Sequence, residues 1–296
     1  MDGLSILIPV YEIDVRPLVN ALVPQLSFLS PNVEIIIYDD ESTLSIAELN
    51  RGICDHRVVH YVELMGNVGR AAIRNQLAAT ARFNKLLFID ADSKIPSANF
   101  IQKYWDVAQT ADVIAGGTHY QIHPPAKENL LRWRYGKVRE ARGLESREAA
   151  GFNALSFNNL LVDKEKFKAI GLNEAIRGYG HEDTLFGEKA AKAGYTFLAI
   201  DNPVTHTGLE PNEVFARKSV EALSTLASLV RHNIGGKSTK IYQTYLKTKS
   251  WHGIMAGFYA ITKGFIEKEI AKGTVNLKLF DFYRLMKFKE LVERKG

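Results

Sequence analysis

The chain has 296 residues, 46% of them hydrophobic and 24% charged, with 38 basic against 33 acidic side chains. That balance excludes global disorder, and the length allows one large domain or two ordinary ones. A lone cysteine, Cys54, excludes an intramolecular disulfide and a multi-cysteine metal site, and reads as a small buried residue in a reducing compartment.

The opening MDGLSILIPVYEID has no basic n-region and no small-residue cleavage site, so it does not read as a signal peptide. Its Leu4–Val10 run has strand length, as do Val33–Tyr38, Val58–Val62, Leu86–Ile89, Val113–Ala115 and Thr196–Ile200. Mostly without polar alternation, these runs suit strands buried on both faces of a parallel sheet. Helical patterns lie between them. Leu18–Leu29 is one, interrupted by Pro24. Asn67–Phe83 is a second, and Ser97–Gln109 a third, with Ser97 as N-cap and Phe100, Ile101, Tyr104 and Trp105 on one face. Alternating strand and helix predicts an α/β domain over residues 1–210. After Pro211 the pattern is helical, over Glu213–Arg231, Ser250–Lys272 and Leu277–Arg294. Residues 211–296 carry 16 basic and 7 acidic side chains, a net +9 that leaves −4 for the rest. No uncharged run reaches the ~20 apolar residues of a spanning helix, which predicts a soluble or peripheral protein.

Chemistry is signalled where strands end. Lys85-Leu-Leu-Phe-Ile-Asp90-Ala91-Asp92-Ser closes a buried strand with two carboxylates, which repel unless a cation lies beside them. A hard divalent ion and a phosphate satisfy that arrangement; a helix cap from Asp92 or Ser93 is the plainer account. Tyr38-Asp39-Asp40-Glu41-Ser42-Thr43 is either a cap and turn or a pair of acceptors for a nucleobase or ribose. Gly66-Asn67-Val68-Gly69-Arg70 opens a helix, and Arg70 with Arg74 favours an anion there. Gly178-Tyr179-Gly180-His181-Glu182-Asp183 sets an aromatic platform before an acidic first helical turn, where a carboxylate could serve as general base. His206 follows a strand and is a ligand only if the fold carries it to Asp90 and Asp92.

In this order the segments resemble the inverting glycosyltransferases of family 2, with the GT-A fold, over roughly the first 210 residues. The resemblance implies that Ser5-Ile-Leu-Ile-Pro9-Val10-Tyr11 is the strand entering the nucleotide site, with Pro9 and Tyr11 at the donor. Asp40, with Asp39 beside it, falls where the family contacts the base, and Glu41 stands where glycine is commoner. Asn67, Gly69, Arg70 and Arg74 would complete the nucleotide side. Asp90, Ala91 and Asp92 match the family's D-x-D, which holds a divalent metal (Mn2+ or Mg2+) and the donor diphosphate. His206 falls where some members supply a third ligand. Asn159, in Ser-Phe-Asn-Asn-Leu-Leu-Val, precedes the acceptor loop. Glu182-Asp183 matches the family's E-D, with Asp183 as base and Glu182 contacting the acceptor or orienting the loop. The implied reaction is one in-line displacement from a nucleoside-diphosphate sugar, by default a UDP-sugar, to a hydroxyl of a glycan or lipid-linked acceptor in polysaccharide biosynthesis. A cytoplasmic location is expected, with no nucleic-acid partner.

Two other readings compete. Phe88-Ile-Asp90-Ala-Asp92-Ser is similar to the nucleophile strand of haloacid-dehalogenase phosphohydrolases, although Lys94 departs from that family's pattern. The other is a non-catalytic membrane-surface protein with a degenerate transferase domain. Gly236-Lys237-Ser238 is no P-loop, since Arg231 occupies the required glycine. The basic, aromatic-rich tail has two readings: contact with the inner face of a membrane, through Leu277, Phe280, Tyr283 and Phe288 on one helix face, or packing of these aromatics on the catalytic domain with the lysines solvated.

Overall fold

The computed structural model describes residues 1–29, 31–176 and 178–294. The chain begins with β1 (Leu4–Val10), α1 (Arg16–Leu22), β2 (Val33–Asp39), α2 (Leu44–Arg51), β3 (Val59–Glu63), α3 (Arg70–Thr80) and β4 (Lys85–Ile89). A short β5 (Ser93–Lys94) leads to α4 (Phe100–Val107), β6 (Val113–Ala115), β7 (Thr118–Tyr120), α5 (Leu130–Tyr135) and α6 (Leu144–Ala150). Next come β8 (Asn159–Asp163), α7 (Lys164–Ile170), α8 (Glu182–Lys192), β9 (Phe197–Ala199) and β10 (Val204–His206). Four helices follow: α9 (Asn212–Arg231), α10 (Lys240–Lys247), α11 (His252–Ala271) and α12 (Leu277–Glu293).

Among the described residues the main sheet has the order β3-β2-β1-β4-β8-β6-β9. Its pairs are parallel except where β8 runs antiparallel between β4 and β6. The sheet is buried on both faces because its strands alternate between two cores. Ile6, Ile8, Leu87 and Ile89 face α1 and α4; Leu7, Leu86 and Phe88 face α3, α7 and α8. This is the mostly parallel α/β architecture expected, followed by a helical C-terminal region. A smaller sheet, β5-β10-β7, lies beyond the carboxyl end of β4 and carries His206 back beside Ser93.

Some expectations change. Pro24 ends α1 early, and the chain continues as 3-10 turns over Val23–Gln25 and Ser27–Leu29. Ser97 is not the cap of α4, which starts at Phe100; its hydroxyl bonds Asn99 instead. Cys54 is exposed, because the turn Gly52–Asp55 sends Ile53 into the core and Cys54 outward. The face of α12 expected to meet a membrane is interior. Phe280, Tyr283 and Phe288 are buried against α9, α11 and α5, within two apolar clusters. No helix among the described residues is long and apolar enough to cross a membrane.

Candidate active site

The carboxyl ends of β4 and β10, the start of α8 and the segment Gly117–Arg147 line one cavity of about 380 Å³. This is the position ligands take in open α/β sheets.

On the side of β2, the acidic pair is committed to building a loop. Asp40 accepts hydrogen bonds from the backbone N–H groups of Val68 (2.7 Å) and Gly69 (3.0 Å). Asp39 accepts from Tyr61 Oη (2.6 Å) and the N–H of Ser42 (2.7 Å). Asn67 donates to the Asp40 carbonyl, and its own N–H goes to Glu41. Glu41 has φ +69°, the left-handed region that favours glycine. Gly69, with φ +85°, turns the chain into α3, which therefore starts at Arg70 rather than at Asn67. Tyr11 is exposed beyond the end of β1, Pro9 is half-buried within it, and Ala91 is buried.

The D-x-D carboxylates diverge. Asp90 is held by the Arg74 guanidinium at 2.5 Å. Arg74 is almost fully buried and also faces Glu182 at 3.8 Å, so Asp90 and Glu182 are its counter-charges. Asp92 turns the other way, towards His206 Nδ1 at 3.3 Å. Burial opposes the charge of both partners, yet each favours the other's charged form: Asp92 lies below the usual carboxylate range and His206 above the usual imidazole value. Of the three expected metal ligands, then, the structure joins Asp92 and His206 and gives Asp90 to Arg74. No cluster of three or more metal-ligating side chains occurs among the described residues. The pair still fits a divalent ion. Asp92 Oδ1, the oxygen that faces His206, is buried and makes no well-aligned hydrogen bond, so it offers a hard oxygen beside an imidazole. Gly208 backs this carboxylate, and a Cβ there would strike Asp92.

Across the cavity, Glu182 and Asp183 open α8. Asp183 makes no side-chain hydrogen bond or ion pair among the described residues. Burial, and then the Glu182 charge, push its carboxyl up to about 7. His181 before it sits at φ +71°, and burial lowers it to about 4, so it is neutral. Tyr179 is not a bare platform: the Arg70 guanidinium lies 4.4 Å from its ring centroid.

Asn159 is a buried clamp. It accepts from Tyr104 Oη (2.7 Å) and donates to the carbonyls of Gly117 and Asn202 (2.8 Å each). Its half-buried neighbour Asn158 donates to Thr118 on the cavity wall. The sequence reading missed the opposite wall, where Arg132 is nine-tenths buried between Glu140 (3.0 Å) and Glu210 (3.4 Å) and Arg147 donates to the carbonyls of Ala115 and Ile200. No motif marked these residues; only the local density of arginine between 132 and 147 could have.

The family model described as "Glycosyl transferase family 2" matches residues 5–170. No curated protein matches the chain. Among solved structures, the mannosyltransferase PcManGT from Pyrobaculum calidifontis, in complex with GDP-Man and Mn2+, is similar at TM-score 0.61 and 14% identity. That match covers 99% of this chain and 88% of the other. S. aureus TarS 1-349 in complex with UDP-GlcNAc is similar at TM-score 0.52 and 17% identity, over 96% and 90%. The longer S. aureus TarS is similar at 0.51 and 18%, over 98% and 54%.

Proposed function

The chain belongs to glycosyl transferase family 2, and from that premise we propose a transfer with inversion from a nucleoside-diphosphate sugar to a hydroxyl acceptor. The family match sets aside the phosphohydrolase and the non-catalytic readings; Asp90, clamped by Arg74, is also a poor nucleophile. The observation that carries the proposal is Asp183, a carboxylate without an ion-pair partner among the described residues and raised to about 7, sharing one cavity with the Asp92–His206 pair. A group poised near neutrality is suited to take a proton from an attacking hydroxyl.

In this reading the acceptor enters beside α8 and Asp183 receives its proton as the hydroxyl attacks the anomeric carbon. Glu182, turned to Arg74, keeps the ion cluster under α8 fixed and raises Asp183 by its charge. Asp92 and His206 would hold a divalent ion, Mn2+ or Mg2+. When bound, that ion supplies charge neutralisation for the departing diphosphate. Arg70, at the N-terminal end of α3 and without an ion-pair partner among the described residues, faces the same side with its positive charge. Asp40 shapes the loop Asn67–Gly69 through its backbone contacts, leaving further lone pairs for a base or ribose. The similar structures carry GDP-Man in one case and UDP-GlcNAc in another. The donor panel must therefore include both nucleotides, with UDP-sugars the default. A glycan or a lipid-linked oligosaccharide is the acceptor class proposed.

The test is nucleotide release from UDP- and GDP-sugars, with Mn2+ and after chelation, in the native protein and in Asp92→Ala. Mn2+-dependent release that Asp92→Ala abolishes is expected. Release unaffected by chelation or by that change would overturn the assignment of the diphosphate site.

A further inference from the structure

The surface most at odds with solvent lies far along the chain from the cavity residues of β4 and α8. From Trp251, which caps α11, through Ile254, Phe258, Ile261 and Phe265 within it, a 3-4-3-4 spacing places these side chains on one helix face. Each is between 55% and 86% exposed. Monomeric proteins rarely leave such a contiguous apolar stripe open without a use for it. The stripe is no mere extension of the core, for the helix has a separate buried face. Tyr259, Ile266 and Ile270 pack with Phe280 and Tyr283 of α12 and Phe215 of α9. The exposed face is therefore held rigidly outward, and no charged residue falls between Ser250 and Thr262.

We infer that α11 docks this face into the headgroup and upper acyl region of an anionic lipid surface. The charges around it favour that occupant. Exposed Lys247 and Lys249 precede the stripe and exposed Lys268 follows it, none with an ion-pair partner among the described residues. Lys272 and Glu269 at the far end neutralise each other at 3.4 Å. A second copy laid on the stripe in parallel would set Lys247 and Lys249 against themselves. Laid antiparallel, it would set them against Lys268. Like charges would meet in both cases, whereas anionic headgroups complement both ends. Large apolar side chains with tryptophan at the margin and lysine at the ends are the composition of a helix lying in the interface plane. Because α11 is already folded on α9 and α12, docking requires no ordering of a flexible segment. The inference is independent of which sugar the cavity transfers.

Flotation of the full-length protein with vesicles tests it. Vesicles of phosphatidylglycerol with phosphatidylcholine should carry the protein, salt should weaken the binding, and phosphatidylcholine alone should carry much less. The triple variant Ile254→Ser, Phe258→Ser, Ile261→Ser changes only exposed positions and should lower partitioning at least about tenfold. Nucleotide release from the donor should persist in that variant. Trp251 gives a second reading in the otherwise native chain: its emission should shift to the blue on vesicles, and Trp251→Phe should remove that shift. Equal partitioning of native and triple-variant protein would overturn the inference, as would native protein that stays with the aqueous fraction. A native dimer in sedimentation velocity that the triple variant converts to monomer would also overturn it, in favour of a second copy.

Discussion

Asp183 carries two consequences that can be measured separately. As a base it must be unprotonated, so turnover should rise with pH through about 7 and level off above it. Asp183→Asn keeps the size but cannot accept the proton. Turnover should fall by about 10²–10⁴-fold with donor affinity unchanged, as read by steady-state kinetics and calorimetry. The same raised value has a sign for stability. The folded state retains a proton that the unfolded chain has lost, so stability declines as pH climbs from about 4 through about 7. Asp183→Asn should therefore raise the melting temperature at pH 8 and leave it nearly unchanged at pH 4. If Glu182→Gln proves the crippling substitution and Asp183→Asn a mild one, the two roles are reversed. Gly208 makes the matching case for Asp92. Gly208→Ala drives a methyl against the Asp92 carboxylate, so Mn2+-dependent nucleotide affinity should drop although no ligand has been deleted. Titration calorimetry with and without Mn2+ reads it.

Between elements, Arg74 of α3 ties Asp90 after β4 to Glu182 of α8. Arg74→Met takes the counter-charge from the buried Glu182 and the half-buried Asp90, which should cost about 3–5 kcal/mol in urea unfolding with an unchanged slope. The turn after β2 gives a smaller effect. Glu41→Ala keeps the positive φ and loses the bond to the Asn67 N–H, whereas Glu41→Gly relieves the strain. The alanine variant should therefore be the less stable of the two by about 1–2 kcal/mol. These elements also show what a sequence displays and what it hides. β1, β2 and β4 are legible because burial on both faces leaves uninterrupted Ile and Leu. β8 has a similar run in Asn159–Asp163 but passes as a mere flank of the acceptor loop, since nothing local announces a strand inserted antiparallel. β5, β7 and β10 have two or three residues each, too few for any period. The carboxylates at the strand ends were visible, but their partners were not. Arg74 reads as an anion site on α3 until the fold brings it to Asp90. Asn159 reads as a ligand-side amide until Tyr104, Gly117 and Asn202 surround it.

Across the whole molecule, the helices after residue 211 are joined to the cavity wall rather than appended to it. Arg139 pairs with Asp281 of α12 at 2.6 Å, Arg284 donates to Tyr135 at the end of α5, and Leu131 shares a core with Phe215, Phe280 and Met286. Arg132, which lines the cavity between Glu140 and Glu210, lies on that same α5. Charge and aromatic content alone made α12 look like a surface helix, because its Lys and Arg residues interrupt every apolar face. Its arginine and lysines settle at the margins while five side chains, Phe280, Tyr283, Leu285, Met286 and Phe288, go inside. At about 1.5–3 kcal/mol for each fully buried side chain, those five match the net stability of a typical domain, about 5–15 kcal/mol. A chain truncated after Lys272 keeps Asp92, His206 and Asp183 in sequence, yet it strips the partner from α9 and the support from Arg132 and Arg139. It should melt well below the full chain, expose apolar surface to a hydrophobic dye, and release little or no nucleotide from the donor. A truncated chain that melts and turns over like the full one would mean that residues 1–272 hold the cavity without α12 and that the contacts of α12 with α5 contribute little.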